Sequence, residues 1–158
     1  MNLKITSEDI DNSLEYFEQR HFSDNSEKEI LSNFPEIWSY ATSNQFKVLS
    51  DDEYMILIFD ILVLLKILKE KLHDTSGITS ERIELFETKN WDTLEKLGNI
   101  SLEEKMDIMF GNEYPELMEF IISGYTDEDD DEESDISLPA QEIIFITAKT
   151  IIDCFLNE

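Results

Sequence analysis

Apolar residues recur along most of the chain at three- and four-residue spacing, which is the pattern of helices with one buried face. The run 50–74 differs, because from Tyr54 to Leu68 only Asp60 and Lys66 interrupt the apolar residues. A helix without a wide polar face must be covered on most sides, so this run predicts a central helix. Ser50 stands three residues before Glu53, the spacing of a capping box, which places the helix start at Ser50.

Shorter amphipathic helices are predicted on both sides of the central helix. Prolines that favour the first turn, glycines that favour the residue after a helix, and Ser/Thr/Asn caps set their limits. We expect the connection 42–49 to be polar, Asn90 to cap a short helix of its own, and the last helix to lie beside the central one. The predicted helices begin at Ser7, Ser26, Pro35, Glu81, Asn90, Ser101, Pro115 and Ser137.

The fold class follows from these patterns together. No stretch shows the sustained alternation of a strand, so we expect an all-α bundle, one domain over residues 1–158 with an acidic loop at 125–136. Two similar tetrapeptides, Phe34-Pro35-Glu36-Ile37 and Tyr114-Pro115-Glu116-Leu117, each open a helix. Four residues are too few to establish a repeat, and the preference of proline for helix starts accounts for the similarity.

The apolar run is not a membrane span by composition. A transmembrane helix needs about 20 mostly apolar residues, whereas Asp60 lies within this run and Lys69, Glu70 and Lys71 close it. Met1 to Ile10 contains no apolar core of the kind that signal peptides have. We therefore expect a cytoplasmic protein that does not enter a membrane.

Net charge is the most unusual property of the composition. The chain has 37 acidic and 12 basic residues, which gives −25, and the part from Ser80 onward contributes −17 of this. Such a surface repels phosphates, so direct binding to nucleic acid is excluded and a basic protein partner is expected. The alternative explanation is that the acidity serves solubility alone.

The predicted partner-binding surface lies in the second half of the chain. Three glutamates at helical spacing precede a run of carboxylates that repel one another too strongly to form an isolated helix. Together they could present one continuous negative patch. Its residues are Glu113, Glu116, Glu119, Asp127, Glu128, Asp129, Asp130, Asp131, Glu132, Glu133 and Asp135.

Residues with the spacing of a catalytic or metal site are absent from the sequence. His21 and His73 are the only histidines and belong to no metal motif, and Cys154 lies on an apolar helical pattern typical of a buried thiol. The acidic run also departs from an EF-hand loop, with Glu132 where glycine is required and Leu138 where glutamate is required. We predict no cofactor, no metal, no catalytic residue and no enzymatic activity.

Asp60 lies between Phe59 and Ile61 on a predicted helix that has no polar face. Burial would oblige it to find a partner, to be protonated or to reach an opening in the bundle. A hydrogen bond to a lysine, tyrosine or tryptophan is the expected solution. A pocket around Asp60 would instead favour an enzyme.

In composition, the chain is similar to small acidic helical proteins that neutralise basic partners, namely bacterial immunity proteins and DNA-mimic inhibitors. That resemblance implies stoichiometric inhibition of a toxin or nucleic-acid-acting enzyme, most simply a nuclease-type toxin. An adaptor or structural interaction protein is the second hypothesis, which an apolar surface groove would favour. An enzyme with a pocket around Asp60 is the third.

Overall fold

The computed structural model describes residues 4–19, 24–72, 74–75, 77–111, 113–124 and 136–156. These residues form helices and connections without a strand, which confirms the all-α class. A 3-10 helix (Asn44–Val48) and a π-helical turn (Asp107–Gly111) supplement the α-helices. In chain order the α-helices are α1 (Ser7–Gln19), α2 (Asp24–Ser32), α3 (Pro35–Ala41), α4 (Asp51–Lys71), α5 (Ser80–Lys96), α6 (Leu102–Met106), α7 (Pro115–Ser123) and α8 (Leu138–Leu156).

Helix α4 is the central helix that the apolar run predicts. Its capping box is complete, because the Glu53 N–H donates to Ser50 Oγ (3.1 Å) and the Ser50 N–H donates to Glu53 Oε1 (2.9 Å). Most of the helix is buried from Leu57 onward. Among the apolar residues before Leu57, Met55 is clearly exposed, with 69% of its surface accessible to solvent. Within the described ranges, no helix combines the length and apolarity needed to cross a bilayer.

Helices α1 and α8 both pack against α4. Asp9 pairs with Lys71 (2.7 Å) and the Ser13 hydroxyl donates to the Val63 carbonyl (3.0 Å), so α1 runs antiparallel to α4. Both the N–H and the hydroxyl of Ser137 donate to Glu53 Oε2 (3.1 Å), which ties the start of α8 to the start of α4. Helix α8 therefore lies beside α4, as the sequence predicts, although its most extensive contact is with α5.

Asn90 does not begin a separate helix, and here the expectation was wrong. Helix α5 continues through it, because the Asn90 amide donates to Thr150 Oγ1 (3.2 Å) and Asp153 Oδ2 (3.1 Å) on α8. A side chain satisfied by a neighbouring helix does not compete for its own backbone. The connection 42–49 is also less polar than expected, since Phe46 within the 3-10 helix is buried.

The two similar tetrapeptides open helices of the same kind. Phe34 and Tyr114 share the backbone angles φ −135° and ψ 61°, both are buried, and in each case proline occupies the first turn. The elements around them also repeat in order, with α1 packed on α4 in one half and α5 packed on α8 in the other. Helix α3 of the first half contacts α5 of the second half, and α7 of the second half contacts α1 of the first. These contacts thus have counterparts in the two halves, whereas the contact of α2 with α4 has no counterpart of similar extent between α6 and α8.

Candidate functional site

The three predicted glutamates near α7 lie on the surface. Glu113 and Glu119 are exposed, and Glu116 is partly exposed. Glu116 and Glu119 share a face of α7, whereas Glu113 belongs to the turn before Pro115 and not to the helix itself. The structure therefore places two of the three on one helical surface, with the third just ahead of it.

The other eight predicted partner-binding residues lie outside the described residues. They are Asp127, Glu128, Asp129, Asp130, Asp131, Glu132, Glu133 and Asp135. The structure does describe the residues that flank them in the chain. A Cβ at Gly124 would lie 3.8 Å from Ile56 Cγ2, and Ser137 donates to Glu53. Gly124 and Ser137 therefore both lie near the first turns of α4.

The beginning of α4 is itself acidic, which the sequence reasoning treated only as helix capping. Asp51 and Asp52 are exposed in its first turn. The hydrogen bond from the Ser50 N–H, together with those from Ser137, lowers the pKa of Glu53 and keeps it ionised. We refer to this region as the acidic end, defined by Asp51, Asp52 and the two flanking residues Gly124 and Ser137.

An apolar groove begins next to the acidic end. It has a volume of about 510 Å³ and is lined mainly by the first half of α4, with one residue each from α2 and α3. Two of its residues are unusually exposed for their type: Met55, noted above, and Trp38, which is 43% exposed. Asp51 lies four residues before Met55 and thus on the same face of α4. The lining residues are Glu27, Trp38, Tyr54, Met55, Ile56, Ile58, Phe59 and Leu62.

A second cavity, of about 770 Å³, lies between α5 and α8 and is lined by both polar and apolar residues. Asn90 and Asp153 line it, and Lys149 Nζ pairs with Asp153 Oδ2 at 2.9 Å. Arg82 also lines it, and its Nε donates to the Cys154 carbonyl at 2.9 Å. These groups satisfy one another, so the cavity is explained as a structural hydrogen-bond network between two helices.

We expect Asn90→Ala to lower the free energy of unfolding by about 1–3 kcal/mol, since Asp153 and Thr150 would lose a buried donor. Urea denaturation measures this change. Thr88→Ala, at an exposed position of the same helix, is the matched control and should have an effect below about 0.5 kcal/mol. Equal effects of the two substitutions would contradict a stabilising role for the network.

Asp60 is buried without the partner that the sequence predicts. Its Oδ2 accepts no hydrogen bond from any described residue, so the expected bond to a lysine, tyrosine or tryptophan is not found there. Burial raises the pKa of Asp60 well above its ordinary value, which favours the protonated acid. Asp60 lies seven residues after Glu53, on the face of α4 that points toward the start of α8. It lines neither of the two cavities described above.

Metal-ligand geometry is not found among the described residues, which contain no group of three or more potential ligands. His21 and His73 lie outside the part of the chain that the structure describes. Cys154 is buried and free, as predicted. Burial, with a contribution from Asp153, raises the pKa of the Cys154 thiol to about 11, so at neutral pH it is not the thiolate that a nucleophile requires.

No family model matches the chain, and neither a curated protein nor a solved structure is detectably similar to it. The function is therefore argued from the acidic end, the apolar groove and the net charge.

Proposed function

We propose that this protein binds a basic protein stoichiometrically and neutralises it, most simply as an immunity protein against a nuclease-type toxin. The carrying observation is that a net charge of −25 accompanies an end of the bundle where Asp51 and Asp52 are exposed and where Gly124 and Ser137 lie near α4. In the sequence, Gly124 and Ser137 flank the most acidic segment. A toxin or enzyme that acts on nucleic acid needs a positive cleft. A negative surface of this kind would occupy that cleft and block access to phosphates.

The distribution of charge matters because screening makes electrostatics local. Helix α4 has 21 residues and is about 30 Å long. The screening length at physiological ionic strength is about 8 Å, so charges at one end of the bundle barely act at the other. Carboxylates at the acidic end should therefore steer a basic partner, while those at the far end contribute little.

The first test removes charge from the acidic segment 125–135. We expect the combined change of Asp129, Asp130 and Asp131 to Asn and of Glu132 to Gln to slow association with the partner several-fold at low ionic strength. At about 1 M salt, where the screening length is near 3 Å, mutant and parent should converge in on-rate. Affinity purification from the native host supplies the partner, and stopped-flow mixing measures the rate.

The control neutralises the same number of carboxylates on α1, at Glu8, Asp11, Glu15 and Glu18. Asp9 is left intact, because it pairs with Lys71 and accepts hydrogen bonds from Thr6, which lower its pKa although burial opposes them. Helix α1 begins near the end of α4, so Glu8 and Asp11 lie far from the acidic end, whereas Glu15 and Glu18 lie nearer to it. The pair Glu8→Gln and Asp11→Asn is therefore also measured by itself, as the control for distance. Equal losses from both sets would mean that only total charge matters. A partner of neutral or acidic surface would contradict the proposal.

The groove favours a second candidate function, that of an adaptor whose acidity serves solubility. Under that hypothesis the interface is apolar, and the partner need not be basic. Neither charge set would then alter association, although binding would persist. No observation on the two cavities favours the third hypothesis, an enzyme with a pocket around Asp60.

A further inference from the structure

Trp38 and Met55 form an exposed apolar pair at the surface of an acidic bundle. Tryptophan and methionine are enriched at protein interfaces, and tryptophan is among the residues that most often dominate binding energy. Both border the same groove, and its volume lies in the range of sites that accept a side chain or small ligand. The exposure of both residues at one concave site indicates an interaction surface.

The charge around the groove restricts what can occupy it. Residues 27–59, which contain all but one of the lining residues, carry six acidic and two basic residues. Asp51 shares the face of α4 on which Met55 and Ile58 border the groove, and Asp52 is its neighbour in the exposed first turn. An apolar side chain entering the groove is therefore favoured when basic residues accompany it, and disfavoured when acidic residues do.

We propose that the groove is the docking site for a segment of the basic partner, in which a large apolar side chain is flanked by lysine or arginine. This inference rests on the proposed function and adds the place and chemistry of the contact. The apolar side chain packs between Trp38 and Met55, while Asp51 and Asp52 pair with the flanking cations. Carboxylates then set mainly the association rate, and the groove sets mainly the lifetime of the complex.

The test uses three synthetic 15-residue peptides as probes. One combines leucine and lysine at helical spacing, one replaces each leucine by glutamine at the same charge, and one replaces each lysine by glutamate. The chain has two tryptophans, so the Trp91→Phe protein carries Trp38 as its single tryptophan, which can be excited selectively over the tyrosines. Calorimetry measures affinity, and fluorescence reports whether Trp38 enters an apolar contact.

We expect the Leu/Lys peptide to bind at least about tenfold tighter than the Gln/Lys peptide and to shift Trp38 emission to the blue. The Leu/Glu peptide should not bind measurably. Met55→Gln should reduce the leucine advantage to less than about threefold while leaving Gln/Lys binding unchanged. Leu85→Gln, an exposed apolar position on α5, is the matched control and should leave both affinities unchanged.

Two double variants, which remove the same number of charges, test whether carboxylates close to the groove contribute to binding. Asp51→Asn with Asp52→Asn should weaken both lysine peptides several-fold at low salt. Glu8→Gln with Asp11→Asn removes the same charge near the other end of α4 and should have a smaller effect. Circular dichroism and the unfolding temperature establish that each variant is folded.

The outcomes separate this inference from the proposed function. If the Leu/Lys and Gln/Lys peptides bound equally and Trp38 emission did not shift, the proposal that the groove is a docking site would be wrong. The proposal of a basic partner would be unaffected. Binding of the Leu/Glu peptide as tightly as the Leu/Lys peptide would overturn the chemistry assigned to the occupant. Failure of both lysine peptides to bind at low ionic strength would count against the proposed function itself.

Discussion

Leu65→Asp should prevent the domain from folding. Leu65 lies in the middle of α4 with 0% of its surface exposed. Burying a charge there without a partner costs several kcal/mol, against a total stability of about 5–15 kcal/mol for a domain of this kind. We expect the loss of the cooperative thermal transition and of most helical circular dichroism.

Val48→Asp is the control for Leu65→Asp, because it also replaces an aliphatic side chain by aspartate but at a position exposed to water. Val48 is 75% exposed in the 3-10 helix, so the substitution should alter stability by no more than about 0.5 kcal/mol. A soluble and cooperatively folded Leu65→Asp protein would show that the centre of the core lies elsewhere. Comparable damage from Val48→Asp would show that added negative charge, and not burial, is responsible.

Asp60→Leu should stabilise the protein by about 1–3 kcal/mol near pH 4, and by more at pH 7. The carboxyl is 5% exposed and its Oδ2 accepts no hydrogen bond from the described residues, so the parent bears the desolvation cost of an unsatisfied polar group. An apolar side chain of similar size removes that cost. Urea denaturation of both proteins measures the difference.

The stabilisation by Asp60→Leu should depend on pH with a definite sign. Burial raises the pKa of Asp60, so the folded parent holds its proton where the unfolded chain has lost it. Below the unfolded-state pKa of about 3.9, the Asp60 carboxyl is protonated in both the folded and the unfolded parent. Its ionisation then contributes nothing to the difference in stability between parent and variant. As pH rises from there toward the folded-state pKa, the parent loses stability relative to the variant, by at most about 1.4 kcal/mol per pH unit.

Asp52→Leu makes the same change at an exposed position of the same helix. It should leave stability unchanged or lower it slightly, since an aspartate in the first turn interacts favourably with the helix dipole. If the free energies of unfolding of the parent and the Asp60→Leu variant differed by the same amount at pH 4 and pH 7, a raised pKa of Asp60 would be contradicted. A loss of stability at pH 7 would show that the carboxylate has a partner.

Local signals predicted helix ends well. The Ser50–Glu53 capping box, the prolines at positions 35 and 115, and the stop at Gly98, where φ is +75°, involve residues a few positions apart, so the sequence alone displays them. The Ser101 cap is of the same kind, since its side chain accepts from the Glu104 N–H. Interactions of this range depend little on the rest of the fold.

Local signals misled where the partner of a residue is distant in the chain. Asn90 has the properties of a cap, yet its amide is satisfied 60 residues away at Thr150. Asp60 was expected to find a donor, and no part of the sequence could indicate that the described residues around its Oδ2 supply none. Burial of Phe46 in an otherwise polar connection is likewise a result of packing.

The sequence by itself thus determined that this protein is helical, that α4 is central and that the surface is strongly negative, because periodicity, caps and composition are properties of neighbouring residues. Only the tertiary structure decided that Gly124 and Ser137 lie near the first turns of α4 and that Trp38 and Met55 border one groove beside Asp51. Those arrangements join residues from separate helices. They depend on packing geometry, which pairs surfaces through space and leaves no fixed spacing along the chain.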